Sequence, residues 1–377
     1  MKLLIVANIY SHHITSIIQV LKEQSPDLCF DIFNTNFLTY NRGVNIPRKD
    51  LYSQIYNAKR RWPSILYKFP FIRGKLALHD LIYSFRRLNG HYNSVTFHQV
   101  PLFASDICDM FHKLSHNVIV HPFGSEVLRV SLKRQKKLTS FFQKIDYCAT
   151  IGPQMKGVLF NKYGLDKSIV NIGYGSTIID LINKSNYSKD SAKNETGLEG
   201  KYVIACGYNG YRGQNQLEII LQISKVIDFL PDNYIIVVPM TYGASKNYIN
   251  KIEKVLKVNR LKYKLFLDFM SEENVVLLRK ATDIFINAQP TDNMAGSVLE
   301  FLLCGAKMLN WSKIRYYNLE EFGIPYFIYD NLNSIGETLL LAINSDPLMT
   351  DELLFYIKNL GRENQMKLWS DFYHSLS

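Results

Sequence analysis

The chain has 377 residues, 47% of them hydrophobic and 20% charged, and 44 Lys plus Arg against 33 Asp plus Glu leave a formal net charge of +11. With 20 Gly and 12 Pro it is neither collagen-like nor low in complexity, and 24 Tyr with 22 Phe supply more apolar area than a disordered chain carries. The excess of positive charge predicts an acidic partner (a nucleic acid, an anionic membrane or a phosphorylated small molecule), and single cores rarely grow past roughly 250 to 300 residues, so the length sets a bound of two domains, or three at a stretch.

Residues 3–7 are a continuous apolar run of the kind a buried parallel strand needs, and the amphipathic stretch 14–21 follows. The opening run, behind a single Lys2, is too short for a signal peptide, and no stretch approaches the roughly 18 to 20 apolar residues that span a bilayer. The chain is therefore expected to be neither exported nor membrane-spanning. Short strands at 29–32, 95–97, 118–120, 146–151 and 169–172 repeat the pattern, most of them followed by helical spacing, as βαβ units require. Residues 183–194 are polar without apolar periodicity and read as a linker.

A second series begins with a strand at 202–206 and continues at 234–239, 264–268, 283–287 and 307–311, with helices near 214–228, 244–258, 272–281 and 295–304. The expected fold class is α/β, with two Rossmann-like doubly wound domains facing a central cleft. The expected boundaries are 1–182 for the first domain, 183–199 for the linker and 200–350 for the second domain. A last helix at 351–377 would pack back towards the first. Ligands of open α/β sheets sit beyond the carboxyl ends of the strands. The five cysteines, at 29, 108, 148, 206 and 304, occur singly with no C-x-x-C pair and read as reduced core residues.

Directly after 202–206 come Gly207, Asn209, Gly210 and Arg212. Glycines let a backbone approach a phosphate, the following helix start offers free N–H groups, and Arg212 adds a charge-assisted pair. A plain βα turn with a surface arginine would look the same. The loop is neither G-x-G-x-x-G nor a Walker loop, so neither a dinucleotide nor an NTP is implied. Further on, Gly296 and Ser297 lead into another helix, with Glu300 expected in its first turn. There it would accept hydrogen bonds from ribose hydroxyls, although an acid also suits a first turn as a dipole partner. Asp292, eight positions earlier, is free to hold a sugar. Two carboxylates around a glycine-bearing helix start suit a nucleotide-sugar, and Phe269 and Met270, after a strand, would flank its base.

In the first domain His98 and His121 end two strands, and Gly124-Ser125-Glu126 begins a helix. At the edge of a cleft a neutral imidazole or Glu126 could serve as catalytic base. His12 and His13 would line the same edge. The histidines are too irregularly spaced for a metal site and there is no Asp-x-Asp motif, so neither a metal nor a cofactor is expected. Arg212 would meet the diphosphate in a metal's place.

The positive charge is localised. Residues 48–87 hold ten basic residues against Asp50 and Asp80, interleaved with Tyr52, Tyr56, Trp62, Tyr67, Phe69 and Phe71, and a second basic run extends from Arg129 to Lys144. Arg60, Arg61, Trp62 and Lys68 are the expected membrane and acceptor contacts, since basic residues mixed with aromatics suit an anionic lipid interface. A solvated basic face is the alternative. No nucleic-acid reader motif accompanies the charge, and no nucleic acid is expected.

Asp292-x7-Glu300, continuing into Phe301-Leu302-Leu303-Cys304-Gly305-Ala306, resembles the Glu-x7-Glu signature of the retaining GT-B glycosyltransferases, with Asp in place of the first Glu. Residues 281–287, 146–152 and 172–175 are similar to that family in the same order. Gly207 to Arg212 with Asn215, residues 237–243 and the run Val120-His121-Pro122-Phe123-Gly124-Ser125-Glu126 resemble the bacterial Fuc4NAc transferases, also of GT-B type. The likeness runs over most of residues 95–310. It implies the GT-B fold and transfer, with retention, from a nucleotide-sugar, UDP- or dTDP-linked, to a saccharide on a polyprenyl diphosphate. The implied setting is assembly of bacterial surface polysaccharide such as O-antigen or capsule, with the protein peripheral on the cytoplasmic face of the membrane. A nucleotide-sugar 2-epimerase of the same fold and a basic nucleic-acid-binding protein are the rival readings. Oligomeric state is open.

Overall fold

The computed structural model describes residues 1–36, 48–101, 103–165, 168–292 and 294–376. They form two compact units, one of Met1–Tyr174 with Arg362–Ser377 and one of Gly175–Gly361.

The first unit holds seven parallel strands: β1 (Lys2–Ala7), β2 (Cys29–Asn34), β3 (Gln54–Asn57), β4 (Ser94–His98), β5 (Val118–His121), β6 (Tyr147–Ala149) and β7 (Ser168–Val170), in the order β3-β2-β1-β4-β5-β6-β7. Leu3 pairs with Phe30 on one side and Ser94 on the other. The period-2 pleat divides β1 between two cores. Leu3, Ile5 and Ala7 pack with Ile14, Ile17 and Leu21 of the helix His12–Gln24 and with Met366, Trp369 and Tyr373 of the helix Arg362–His374. Leu4 and Val6 join Phe85, Phe97, Phe111 and Phe141 on the other face. Cover on both faces is why the strand reads as an unbroken apolar run.

The second unit holds six parallel strands: β8 (Tyr202–Cys206), β9 (Tyr234–Pro239), β10 (Tyr263–Phe266), β11 (Ile284–Asn287), β12 (Lys307–Trp311) and β13 (Tyr326–Tyr329), in the order β10-β9-β8-β11-β12-β13. Ile204, Cys206, Ile236, Val238, Ile286 and Leu309 share a core with the helices Gln216–Ile223 and Ile335–Ile343. On the opposite face Phe285 stacks on Phe301 with ring centroids 4.1 Å apart. Strand order reverses beside β1 and β4 in one unit and beside β8 and β11 in the other, and such switch points are where doubly wound sheets bind ligands.

Three expectations need correction. The polar run taken as the linker lies inside the second unit and carries the helix Lys189–Glu195, with the boundary at Tyr174 and Gly175 instead. Ser188 caps that helix, Lys189 and Lys193 reach Asp283 at 3.2 and 2.8 Å, and only Ala192 within it is buried. Charge rather than an apolar stripe holds it, so it leaves no hydrophobic period. The expected helix at 351–377 is two, Asp351–Lys358 in the second unit and Arg362–His374 in the first. They break at Gly361, where a Cβ would collide with the Asp180 carboxylate. The cysteines are all free, but only Cys148 and Cys206 are buried; Cys29 opens β2 at its exposed end, and Cys108 and Cys304 are half-buried.

Candidate functional site

In the second unit the loops that leave β8 and β11 are tied together. Gly207 N donates to Ile286 O at 3.1 Å, Asn215 Nδ2 to Ala288 O at 2.6 Å, and the Tyr208 hydroxyl to Gln289 Oε1 at 3.2 Å. Gly207 has φ +71°, a conformation that favours glycine. Gly210 donates to Tyr242 O at 2.8 Å and lies against the loop after β9. Asn209 is buried and accepts from Tyr211 N at 3.0 Å, which holds the turn closed. Arg212 stands exposed at the loop tip with its guanidinium 5.4 Å from the Tyr248 ring centre. Buried in the same two loops, Gln214 Oε1 and Thr291 Oγ1 have no hydrogen-bond partner.

Asp292 is fixed from beneath. Its Oδ2 accepts from Ala295 N at 3.1 Å and from the Tyr316 hydroxyl at 2.6 Å. Tyr316 in turn accepts from Asn287 Nδ2 at 3.0 Å, which also donates to Asn310 Oδ1 at 3.0 Å. Both asparagines are fully buried at the sheet. Burial, and then the Asp292 carboxylate, push the Tyr316 hydroxyl well above its ordinary range, so it stays a donor.

Glu300 differs from expectation. It is the fifth residue of the helix Gly296–Leu303, one turn in, and is 5% exposed. Its Oε2 accepts from Arg279 Nε at 3.1 Å and its Oε1 from the Ser176 hydroxyl at 2.9 Å. It is a buried ion pair rather than an open acceptor in a first turn. Arg279 also donates to Ser297 Oγ at 3.3 Å, so the pair fixes the helix start. A Cβ at Gly296 would stand 3.2 Å from Glu300 Oε1. Phe269 is 80% exposed and Met270 half-exposed just after β10, an open apolar surface at that edge of the sheet.

In the first unit His98 and His121 are neighbours across β4 and β5, but they are buried rather than at an open edge, each 2% exposed. Tyr174 stacks on His121 with centroids 3.5 Å apart, and Trp369 stands 5.7 Å from His98. Both nitrogens of His98 and Nδ1 of His121 lack hydrogen-bond partners. Glu126 Oε1 accepts from Phe123 N at 2.6 Å and Val100 N at 3.4 Å, while its Oε2 is buried and unpartnered. His12 and His13 open the helix His12–Gln24 and are exposed.

Burial pushes His98 down to about 3 and also depresses His121, with His98 and Arg362 adding to the second shift. Both folded values lie below the unfolded value near 6.5. The stability contributed by the neutral rings is therefore complete above about pH 6.5 and is lost as pH falls towards 3, each ring adding a slope of up to about 1.4 kcal/mol per pH unit. Urea midpoints measured from pH 7 to pH 4 are expected to fall less steeply in His98→Asn than in the parent protein. An unchanged slope would refute the assignment.

Arg60, Arg61 and Lys68 are exposed on the first unit, as is Trp62. Arg279, Ser176, Tyr316, Asn287 and Asn310 were not singled out from the sequence. The asparagines left a trace, Asn287 closing one apolar strand and Asn310 interrupting another, whereas Arg279 is indistinguishable in sequence from its half-buried neighbour Lys280. Among the described residues no group of three or more His, Cys, Asp or Glu is placed to hold a metal ion, and no helix is long and apolar enough to cross a membrane.

No protein-family model matches the chain, and no curated protein matches it significantly in sequence. Solved structures do. Sucrose-phosphate synthase from Thermosynechococcus elongatus superposes with a TM-score of 0.71 at 11% identity, over 100% of this chain and 99% of that one. A glycosyltransferase from Rickettsia africae gives 0.68 at 14% identity, over 100% and 98%. Anabaena HepE in complex with UDP and glucose gives 0.61 at 12% identity, over 100% and 97%. At such identities the likeness is one of fold, and it spans the whole chain: this protein has the GT-B fold of those enzymes.

Proposed function

We propose that the protein is a glycosyltransferase that moves a sugar from a nucleotide-sugar to a saccharide acceptor with retention. The observation that carries this reading is the pair of glycine-bearing loops at the switch point of β8 and β11, bearing an exposed arginine, a clamped Asp292 and two unpartnered buried polar atoms. The HepE structure holds UDP and glucose, and this favours a UDP-sugar here, with a dTDP-sugar next. Arg212 and the amides near Gly210, Gly296 and Ser297 take the diphosphate, and the build-up of charge on the leaving diphosphate is the main electrostatic demand of the reaction. Asp292 holds the donor sugar. Phe269 and Met270 face the base. Ribose hydroxyls reach Glu300 only in place of the Ser176 hydroxyl.

On the acceptor side Glu126, through its unpartnered Oε2, is the candidate base, and His98 and His121 support that end of the sheet as neutral rings. The acceptor in this reading is a saccharide on a polyprenyl diphosphate, used in bacterial surface polysaccharide assembly at the cytoplasmic face of the membrane. Arg60, Arg61, Trp62 and Lys68 meet the membrane.

Thermal denaturation with UDP-, dTDP-, GDP- and CMP-sugars tests the donor assignment. A ligand at a hundredfold excess over its Kd stabilises by about 2.7 kcal/mol. UDP-sugars are expected to raise the midpoint, and Arg212→Ala, a change at an exposed side chain, is expected to remove most of that rise. No response to any nucleotide-sugar would refute the reading.

A further inference from the structure

Residues 59–75 of the first unit form an apolar corner that no core covers. Trp62 is 43% exposed, Ile65 60%, Phe69 53% and Phe71 92%. Around them stand Lys59, Arg60, Arg61, Lys68, Arg73 and Lys75, all exposed, with no acidic residue between Asp50 and Asp80. The helix Pro70–Phe85 is buried only in its second half, at Ala77, Asp80, Leu81 and Phe85, so its first turns lie outside the packing. The corner is nonetheless held firmly. Asp80, 0% exposed, accepts from the Tyr67 hydroxyl and from Arg61 N at 3.3 Å. Arg60 lies 4.9 Å from the Tyr67 ring centre and Arg61 3.9 Å from that of Tyr83. One buried carboxylate thus fastens the strap before the helix to the helix itself.

We propose that this corner inserts into an anionic lipid bilayer, with Ile65, Phe69 and Phe71 entering the boundary between headgroups and acyl chains and the six cations resting on lipid phosphates. Apolar tips ringed by cations are what an interfacial segment needs. Each cation near such a surface strengthens binding about fivefold. A nucleic acid would use the cations and the aromatic faces, but it gives an exposed Ile65 nothing to bury against. The inference rests on the membrane part of the proposed function and deepens it by naming the surface; donor binding does not enter its test.

The test is co-flotation of the full-length protein with phosphatidylglycerol or phosphatidylcholine vesicles. Trp62 adds a local readout, because Trp311 and Trp369, the other two tryptophans, are 8% and 1% exposed. Flotation with phosphatidylglycerol but not phosphatidylcholine is expected, with a blue shift in emission that Trp62→Phe removes. Phe69→Ser with Phe71→Ser is expected to weaken flotation at least tenfold while keeping the parent's thermal midpoint and its response to nucleotide-sugars. Lys68→Gln with Arg73→Gln and Lys75→Gln is expected to abolish the preference for phosphatidylglycerol. Equal binding to both lipids, full flotation of the double serine variant, or binding to RNA in preference to vesicles would overturn the proposal. Should the serine variant unfold, the emission shift of the parent protein with phosphatidylglycerol decides alone.

Discussion

Replacing Arg279 by Met is expected to destabilise the Gly175–Gly361 unit by about 3–5 kcal/mol, because it leaves a buried carboxylate without its cation. Arg279 and Glu300 are both 5% exposed and their charged atoms are 3.1 Å apart. The guanidinium also lies 4.1 Å from the Phe301 ring centre, and Phe301 stacks on Phe285 of β11, so the pair is enclosed by the core as well as by its own helices. The Ser176 hydroxyl, Glu300's other partner, cannot neutralise a charge. Urea unfolding of the single variant and of Arg279→Met with Glu300→Gln separates charge from packing. The double variant carries no buried charge and is expected to recover most of the loss. If it is as unstable as the single variant, the loss lies in packing rather than in an orphaned charge.

The contrast between Glu300 and the loops around it marks what could be seen in the sequence. The strands β1, β8, β11 and β12 were legible because both faces of each are buried, which forces apolar runs, unbroken in β1 and β8 after their first residue, closed by Asn287 in β11 and interrupted by Asn310 in β12. The edge strand β3 was not, since the polar Gln54 and Asn57 at its two ends leave too short an apolar run; β13 was passed over although Tyr326–Tyr329 is itself an unbroken apolar run. The loop after β8 was legible because glycines follow a buried strand at a position where the backbone must turn. The environment of Glu300 was hidden because its partners come from 21 residues away, at Arg279, and 124 residues away, at Ser176. His98 and His121 were placed at the correct strand ends, yet their burial depends on Tyr174 and on Trp369 from a helix at the far end of the chain. Local pattern locates a strand end, but long-range packing decides whether a side chain there is open or covered.

Gly210→Ala is expected to weaken nucleotide-sugar binding at least about tenfold, or 1.4 kcal/mol, and to destabilise the fold by about 1–3 kcal/mol through overpacking. A Cβ at this position would stand 2.5 Å from Ala244 Cβ and 2.9 Å from both Ala244 N and Tyr242 O. Two of these are backbone atoms, and they cannot rotate away. The loop after β9 is anchored at both ends, by Met240 N donating to Phe266 O at 2.8 Å and by Ser245 capping the helix Lys246–Val258. The strain must therefore displace residues 207–213, the loop that presents Arg212 and the amides near Gly210. Gly213→Ala is the control. A Cβ there meets nothing within 4 Å, and Gly213 lies in the 3-10 turn Arg212–Gln214 without a positive φ. It is expected to leave affinity and stability within about 0.5 kcal/mol of the parent, as surface changes usually do. Titration calorimetry with UDP and urea unfolding on both variants check the pair. Parent-like affinity in Gly210→Ala would show that the loop does not touch the donor, whereas equal losses in both variants would show that any substitution in the loop is harmful, whatever its contact with β9.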